Sequence, residues 1–261
     1  MIIERPMFLK VAIIIGLLIV SATYLYFIPP IPQWDSYHHF SDNRTLFAID
    51  NFMNVVSNIG FLVFGSCGLF SIFQKTIFDN KLDPIPYGLF FLSIIFVGVG
   101  SCYYHWDPTT ERLFWDRLPM SIAFMSFFSA IICDRIYKKI GVFFVLPVLI
   151  SFGVYSVIYW HETEIMGVGD LRLYGLVQYF PMLAIPVILF LFPDYRYTPS
   201  SPIIWILTLY VSAKIFEYFD SNILNLSNNI LSGHSLKHLT ASLSVFFVLR
   251  MLAKSKRGVS F

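Results

Sequence analysis

The sequence predicts an all-α integral membrane protein with eight spans, and two observations carry that prediction. Of 261 residues, 57% are hydrophobic and only 13% are charged, against about 25% charged in a soluble domain; the mean hydropathy is +0.69. The apolar residues also fall in runs of the length a bilayer demands, roughly 20 residues per helix. These runs lie at about 7–27, 52–73, 86–104, 117–137, 141–159, 173–193, 202–219 and 235–253. The longest connection, about 28–51, is too short for a soluble domain. The net charge of +2 says little, because membrane proteins use charge by location. Nothing in the chain points to nucleic acid or to a protein partner.

In the first run, Arg5 and Lys10, an apolar stretch and Ser21-Ala22 have the make-up of a cleavable signal peptide. The run nevertheless continues through Tyr24-Leu25-Tyr26-Phe27, which predicts an uncleaved signal-anchor helix over 1–30. In the second, Asn54 and Asn58, four apart with Ser57 between them, are expected to make interhelical hydrogen bonds. The third ends at His105 and turns at Asp107-Pro108; the fourth opens around Asp116 and Arg117. Gly169-Asp170-Leu171-Arg172 reads as the capped start of the sixth, with a local ion pair. The seventh carries Lys214, Glu217 and Asp220 at i, i+3 and i+6, a pattern that serves either an internal ion pair or a cavity wall. The eighth opens with His234 and His238, and a basic tail, 255–261, follows it. Cys67, Cys102 and Cys133 lie in apolar runs, odd in number and without Cys-x-x-Cys spacing. They predict neither a disulfide framework nor a cysteine metal site, only small buried hydrophobes.

Positive charge sets the orientation. With the N-terminus in the cytoplasm, the inner side collects Arg5, Lys10, Lys75, Lys81, Arg135, Lys138, Lys139, Arg196, Arg250, Lys254, Lys256 and Arg257. The outer side collects only Arg44, Arg112, Arg117 and Arg172. This excess of inner over outer cations follows the positive-inside rule and predicts two cytoplasmic termini. The ends of the third, fourth and eighth spans that bear His105, Asp116, His234 and His238 then all fall on the non-cytoplasmic face.

Ser101 and His105 are four residues apart, as are His234 and His238, and that spacing puts each pair on one face of a helix. Two histidines at i and i+4 plus a third from another helix make a tripod. Three neutral imidazoles with one position open describe a catalytic zinc site, in which the metal lowers the pKa of its water to about 7. Asp116 then suits a general base and Ser101 an oxyanion donor. Each residue also has a plainer reading. Asp116 can cap the fourth helix, Ser101 can bond a carbonyl one turn back, and His105 can simply face water. Their coincidence on one membrane face favours the metal site, since ionisable groups at membrane depth are costly and functional by default. His38, His39 and His161 lie in outer loops and are read as non-ligands.

Gly100-Ser101-Cys102-Tyr103-Tyr104-His105, followed by Trp115-Asp116-Arg117-Leu118-Pro119-Met120, resembles the alkaline ceramidases. These are seven-helix membrane amidohydrolases of the CREST superfamily, which also holds GPI-lipid remodelling proteins and the progestin/adiponectin receptors. Gly233-His234-Ser235-Leu236-Lys237-His238 supplies the late His-x-x-x-His element, and Asn51-Phe52-Met53-Asn54-Val55-Val56-Ser57-Asn58 is similar to the opening of the first core helix. The resemblance covers about 34–253. It implies a seven-helix catalytic bundle over 31–254 with the first span added ahead of it. It also implies Zn2+ held by His105, His234 and His238, with Asp116 handling the proton and Ser101 the oxyanion. The eukaryotic enzymes carry a calcium site just before the first core helix. Asp35, Asp42, Asn43, Asp50 and Asn51 are the positions here that would hold Ca2+, although their spacing differs and Asn51 stands where the family has an acid. The Trp106-Asp107-Pro108 stretch is closer to a bacterial-type branch. The implied activity is hydrolysis of a membrane lipid amide, with ceramide cleaved to a sphingoid base and a fatty acid as the leading case. The alternatives are a receptor-like lipid-binding protein without turnover, or hydrolysis of another lipid amide or ester.

Overall fold

The computed structural model describes residues 5–74 and 77–255. Lys75 and all of the basic tail beyond Ser255, with Lys256 and Arg257, lie outside the described residues. The described chain is helical and has no β-strand. Helix α1 spans Arg5–Phe27. Helices α2 (Phe52–Val56) and α3 (Ile59–Ile72) make one span, broken at Ser57 and Asn58. They are followed by α4 (Pro84–Trp106) and α5 (Thr110–Arg135). Helix α6 (Lys138–Ile140), a π-helical turn and α7 (Leu146–Ile165) run on as one span. Helix α8 covers Arg172–Leu191 and α9 Ser200–Tyr218; a short α10, Asp220–Leu226, precedes α11, Gly233–Ser255. Seven of the spans are long and apolar enough to cross a membrane, and there are eight when α9 and α10, bent by 82°, count as one. The protein is a multi-pass membrane protein.

The structure moves one boundary that matters. The fourth span begins at Thr110, not at 117, because Thr109 caps it and accepts a hydrogen bond from the Arg112 amide at 3.3 Å. Its first turns are polar and lie outside the apolar run that hydropathy detects. Asp116 therefore sits inside α5 and is not its cap.

Proline explains the sharp turn before that helix. Asp107 precedes Pro108 and is held extended (φ −148°, ψ 90°), ending α4. Only residues 107–109 separate α4 from α5, so the two form an antiparallel hairpin. Around the molecule α3, α4, α5, α7, α8, α9 and α11 contact one another in sequence, and α11 closes back on α3. Helix α1 lies outside this ring against α8, its membrane-spanning stretch without a buried residue.

Polar contacts sort the helix ends onto two faces. On one, the Leu171 amide donates to Ile31 O at 2.8 Å, Arg172 to Ile28 O at 2.7 Å, and the Ser41 amide to Asp220 at 3.0 Å. On the other, Lys138 pairs with Asp83 at 2.9 Å, Tyr197 donates to Asp83 at 2.9 Å, and Arg135 donates to Phe192 O at 2.7 Å. The Asp170–Arg172 ion pair at 2.7 Å and the Arg172 amide bonded to the same carboxylate match the capped start expected for α8.

Two expectations fail. Cys133 is buried, but Cys102 is only partly so and Cys67 is exposed; an apolar run in a membrane helix has a lipid-facing side, where a thiol needs no burial. Asn54 does bond across helices, accepting from Ser235 at 2.8 Å, whereas Asn58 donates to Asn54 O within its own turn at 2.8 Å. The break in the span leaves carbonyls that the Asn58 amide satisfies.

Candidate active site

Helix α4 delivers Ser101 and His105 near its C-terminal end, α5 delivers Asp116 one turn past its start, and α11 delivers His234 and His238 in its first two turns. Gly233 permits the last placement, since a Cβ there would overlap the Phe216 carbonyl oxygen and lie 2.8 Å from Asp220 Cα. Two side chains then cap α11. Asp220 accepts from the His234 amide at 2.7 Å and Ser232 from the Ser235 amide at 3.0 Å. Such capping is worth about 1 kcal/mol per bond.

The three histidines converge. Their ligand nitrogens all lie within 4.8 Å of one another and all three rings are buried. His105 Nε2 and His234 Nε2 are 3.4 Å apart. Metal–nitrogen bonds of about 2.0–2.1 Å in tetrahedral geometry require an N···N edge of about 3.4 Å, so the donor set fits a metal ion. No other group of three or more metal-binding side chains occurs among the described residues; His38, His39 and His161 are not part of it.

Ser57 orients the ligand set. Its hydroxyl donates to Asn54 O at 3.1 Å and lies 2.8 Å from His238 Nδ1. A hydroxyl has one proton, so Ser57 must accept from Nδ1–H, which leaves the Nε2 lone pair of His238 free for the metal. The Phe40 ring packs on His105 and His234 with centroids 4.7 and 4.5 Å away. The Asn51 amide holds the His105 carbonyl at 3.0 Å.

Beside the histidines, Ser101 and Asp116 are both buried and line the same cavity. Asp116 Oδ1, His105 Nδ1 and Arg117 Nη1 have no protein hydrogen-bond partner although each is buried. Ser101, Asp116 and His238 line a cavity of about 410 Å³ together with Ile31, Pro32, Trp34 and Tyr37 from the segment after α1. Phe61, Val97, Met120 and Ala241 are shared with a second, apolar chamber of about 120 Å³ lined by Phe90, Ile94, Phe127 and Val248. Lys214 and Glu217 do both things the sequence allowed. They pair at 2.7 Å and line the cavity, while Asp220 lies past the bend and caps α11.

Four of the five positions considered for calcium have other partners. Asp42 is bound by Arg44 at 2.6 Å, and the guanidinium and amide of Arg44 hold its carboxyl below the usual carboxylate range despite burial, which acts the other way. Asp50 accepts from Thr45 at 2.5 Å, Asn51 bonds the His105 carbonyl, and Asp35 lies 3.7 Å from His39. A cation at Asp42 would have to displace Arg44.

Sequence reasoning did not assign Ser57, Phe40 or Asp220 to the site. The available signals were Ser57 lying between two asparagines in an apolar run and Asp220 standing at i+6 from Lys214; Phe40 arrives through a loop whose path the sequence does not disclose.

Three buried histidines close enough to hold a metal ion, with a carboxylate and a cavity partly lined by apolar residues beside them, define a multi-pass membrane protein with a candidate metal site. The family model described as Ceramidase matches residues 44–188, more than half of the chain. The protein belongs to the ceramidase family, and membership makes it a hydrolase acting on lipid amide bonds. No curated protein matches the chain. The matched stretch contains Ser101, His105 and Asp116 and ends before His234 and His238.

Proposed function

We propose that the protein is a zinc-dependent hydrolase of the amide bond of a membrane N-acyl lipid, with ceramide the reference substrate. The observation that carries this reading is the convergence of His105, His234 and His238 from two helices, beside Asp116, in a cavity that continues into an apolar chamber. His105, His234 and His238 would hold the ion through ring nitrogens. When bound, zinc makes water nucleophilic near neutral pH and polarises a carbonyl. Asp116 takes the proton of the water that attacks the amide carbon and returns it to the nitrogen as the C–N bond breaks. Ser101 donates a hydrogen bond to the oxygen on which negative charge develops. The apolar chamber holds the acyl chain and keeps bulk water away from the amide.

The charge asymmetry of the loops supports an active site opening on the non-cytoplasmic face, with both termini cytoplasmic. Within this reading residues 1–30 are an anchor, 31–254 the catalytic bundle and 255–261 a cytoplasmic tail.

Two variants test the chemistry. His238→Ala should lose bound zinc and all fatty-acid release while remaining a folded membrane protein. Asp116→Asn should keep zinc yet lose about 10²- to 10⁴-fold in kcat. A lipid-binding protein without turnover would instead retain zinc and release no fatty acid from ceramide or any other N-acyl lipid even as wild type, and that result would sink the hydrolase reading.

A further inference from the structure

The cavity holds more positive charge than its own acids neutralise. Five ionisable residues other than histidine line it: Asp116, Arg117, Lys214, Glu217 and Lys237. Glu217 is shared between two ammonium groups, Lys214 at 2.7 Å and Lys237 at 2.8 Å. Tyr37 adds a hydroxyl donor to the same carboxylate at 3.3 Å. Three cations thus face two anions, and a metal ion on neutral imidazoles adds to the excess. An uncompensated charge away from water is costly.

Arg117 makes the imbalance specific. Its residue is 6% exposed, and its guanidinium is stacked among Trp160, Tyr174 and Tyr37 at 4.2, 5.1 and 5.4 Å from their ring centroids. Nη2 donates to Gln33 at 2.6 Å, but Nη1 is buried with no acceptor at all. Asp116, its sequence neighbour, does not supply one, and its own Oδ1 is equally unpartnered. A guanidinium fixed by aromatic rings at the wall of a cavity, with a buried N–H that has no acceptor, has the make-up of a carboxylate- or phosphate-type receptor. Its helper Gln33 belongs to the loop after α1 that lines the cavity, while the apolar chamber adjoins the cavity at Phe61, Val97, Met120 and Ala241. A bound amphiphile therefore has its tail in the chamber and its head group among the cations.

We infer that the preferred substrate is an N-acyl lipid whose head group carries an acid close to the amide, held by Arg117 and Lys237, rather than a neutral ceramide. The inference rests on the hydrolase reading and narrows its substrate class. Lys214 and Lys237 share the single carboxylate of Glu217, so together with Arg117 they leave this part of the cavity with positive charge to offer a ligand.

The test uses a matched pair of lipids, N-palmitoylglycine and N-palmitoylethanolamine, which share the acyl chain, the amide and the product palmitate and differ in the terminal acid. Purified full-length protein in detergent should release palmitate from the glycine conjugate with a kcat/KM at least about tenfold higher, since a site built to pair a group discriminates strongly against its absence. Lys237→Gln should shrink that ratio mainly by raising KM for the acidic lipid, and Lys237→Arg should restore it. Direct binding gives a second readout: the acidic lipid should raise the unfolding temperature more than the neutral one, and added salt should reduce the difference. Equal or better cleavage of the neutral lipid, or of ceramide, would overturn the inference and leave the hydrolase intact. Palmitate from neither lipid nor from ceramide, with zinc bound, would overturn both.

Discussion

Replacing Gly100 with alanine should separate the metal centre from its base by about one ångström. Helix α4 crosses α5 at Gly100, and a Cβ there would overlap the Trp115 carbonyl oxygen, lie 2.9 Å from its carbonyl carbon and 3.3 Å from the Asp116 amide nitrogen. All three are backbone atoms and none can swing aside. The carbonyl is available for so close an approach because Pro119, four residues on, has no N–H to bond it. Carbon–carbon contacts settle at about 3.5–4.0 Å, so the added methyl must push the helices apart by about 0.6–1.1 Å. Ser101 and His105 ride on α4 and Asp116 on α5, so that displacement falls on the distance between proton acceptor and reacting centre. A 1 Å misplacement costs about 10²-fold in rate, and overpacking of this kind destabilises by about 1–3 kcal/mol. Zinc should be retained, because the ligands sit on α4 and α11 and neither α11 nor its histidines meet the methyl. The measurements are kcat from fatty-acid release, zinc per chain, and the unfolding temperature in detergent. Gly88→Ala is the control: it makes the same change in the same helix with nothing within 4 Å of the new carbon, and should be neutral or stabilising. Wild-type kcat in Gly100→Ala would refute the argument that Asp116 must be held close to the metal.

Ser57→Ala should weaken zinc binding about 10- to 100-fold, the usual effect of losing the group that orients a metal-bound histidine, read by competition with a chelator; unchanged affinity would show that His238 needs no such partner. His38 provides a pH test in the outer loop. Burial is the main cause that lowers its pKa below the ordinary value of about 6.5, while its ring sits 3.0 Å from the Tyr104 hydroxyl. The unfolded chain therefore takes up this proton first as pH falls. The stability from a neutral His38 is complete above about pH 6.5 and declines as pH drops through 6.5 toward the lower folded value. The fall in unfolding temperature between pH 7.5 and pH 5 should be smaller in His38→Gln than in wild type, and equal falls in the two proteins would contradict it.

Much of this molecule is legible in its chain because a bilayer is a demanding solvent. Every backbone polar group at membrane depth must be satisfied within the segment, so an apolar run of sufficient length has to be a helix, and the spans at 52–73 or 86–104 needed no tertiary information. The same demand makes a polar side chain in such a run conspicuous. Ser101 and His105, then His234 and His238, announced themselves by spacing alone, and alternation of the spans put both pairs at the same ends of their helices. Where the signal was hydropathy only, it misjudged the polar turns that extend beyond the apolar run, and α5 begins at Thr110 for that reason.

Convergence belongs to the tertiary structure. The two histidine segments are separated by more than a hundred residues, and it took the closure of the ring by α11 on α3, with the cap from Asp220 and the missing Cβ of Gly233, to bring three ring nitrogens within reach of one ion. The hydroxyl of Ser57, the ring of Phe40 and the unpaired guanidinium nitrogen of Arg117 became part of the site by proximity across helices and loops, which no local pattern encodes. The sequence by itself determined a membrane bundle and the candidate residues for a metal and a proton, because solvent and periodicity act on each segment separately. Only the tertiary structure decided which of those residues share one cavity and what charge that cavity presents to a lipid, because distance between segments is set by packing.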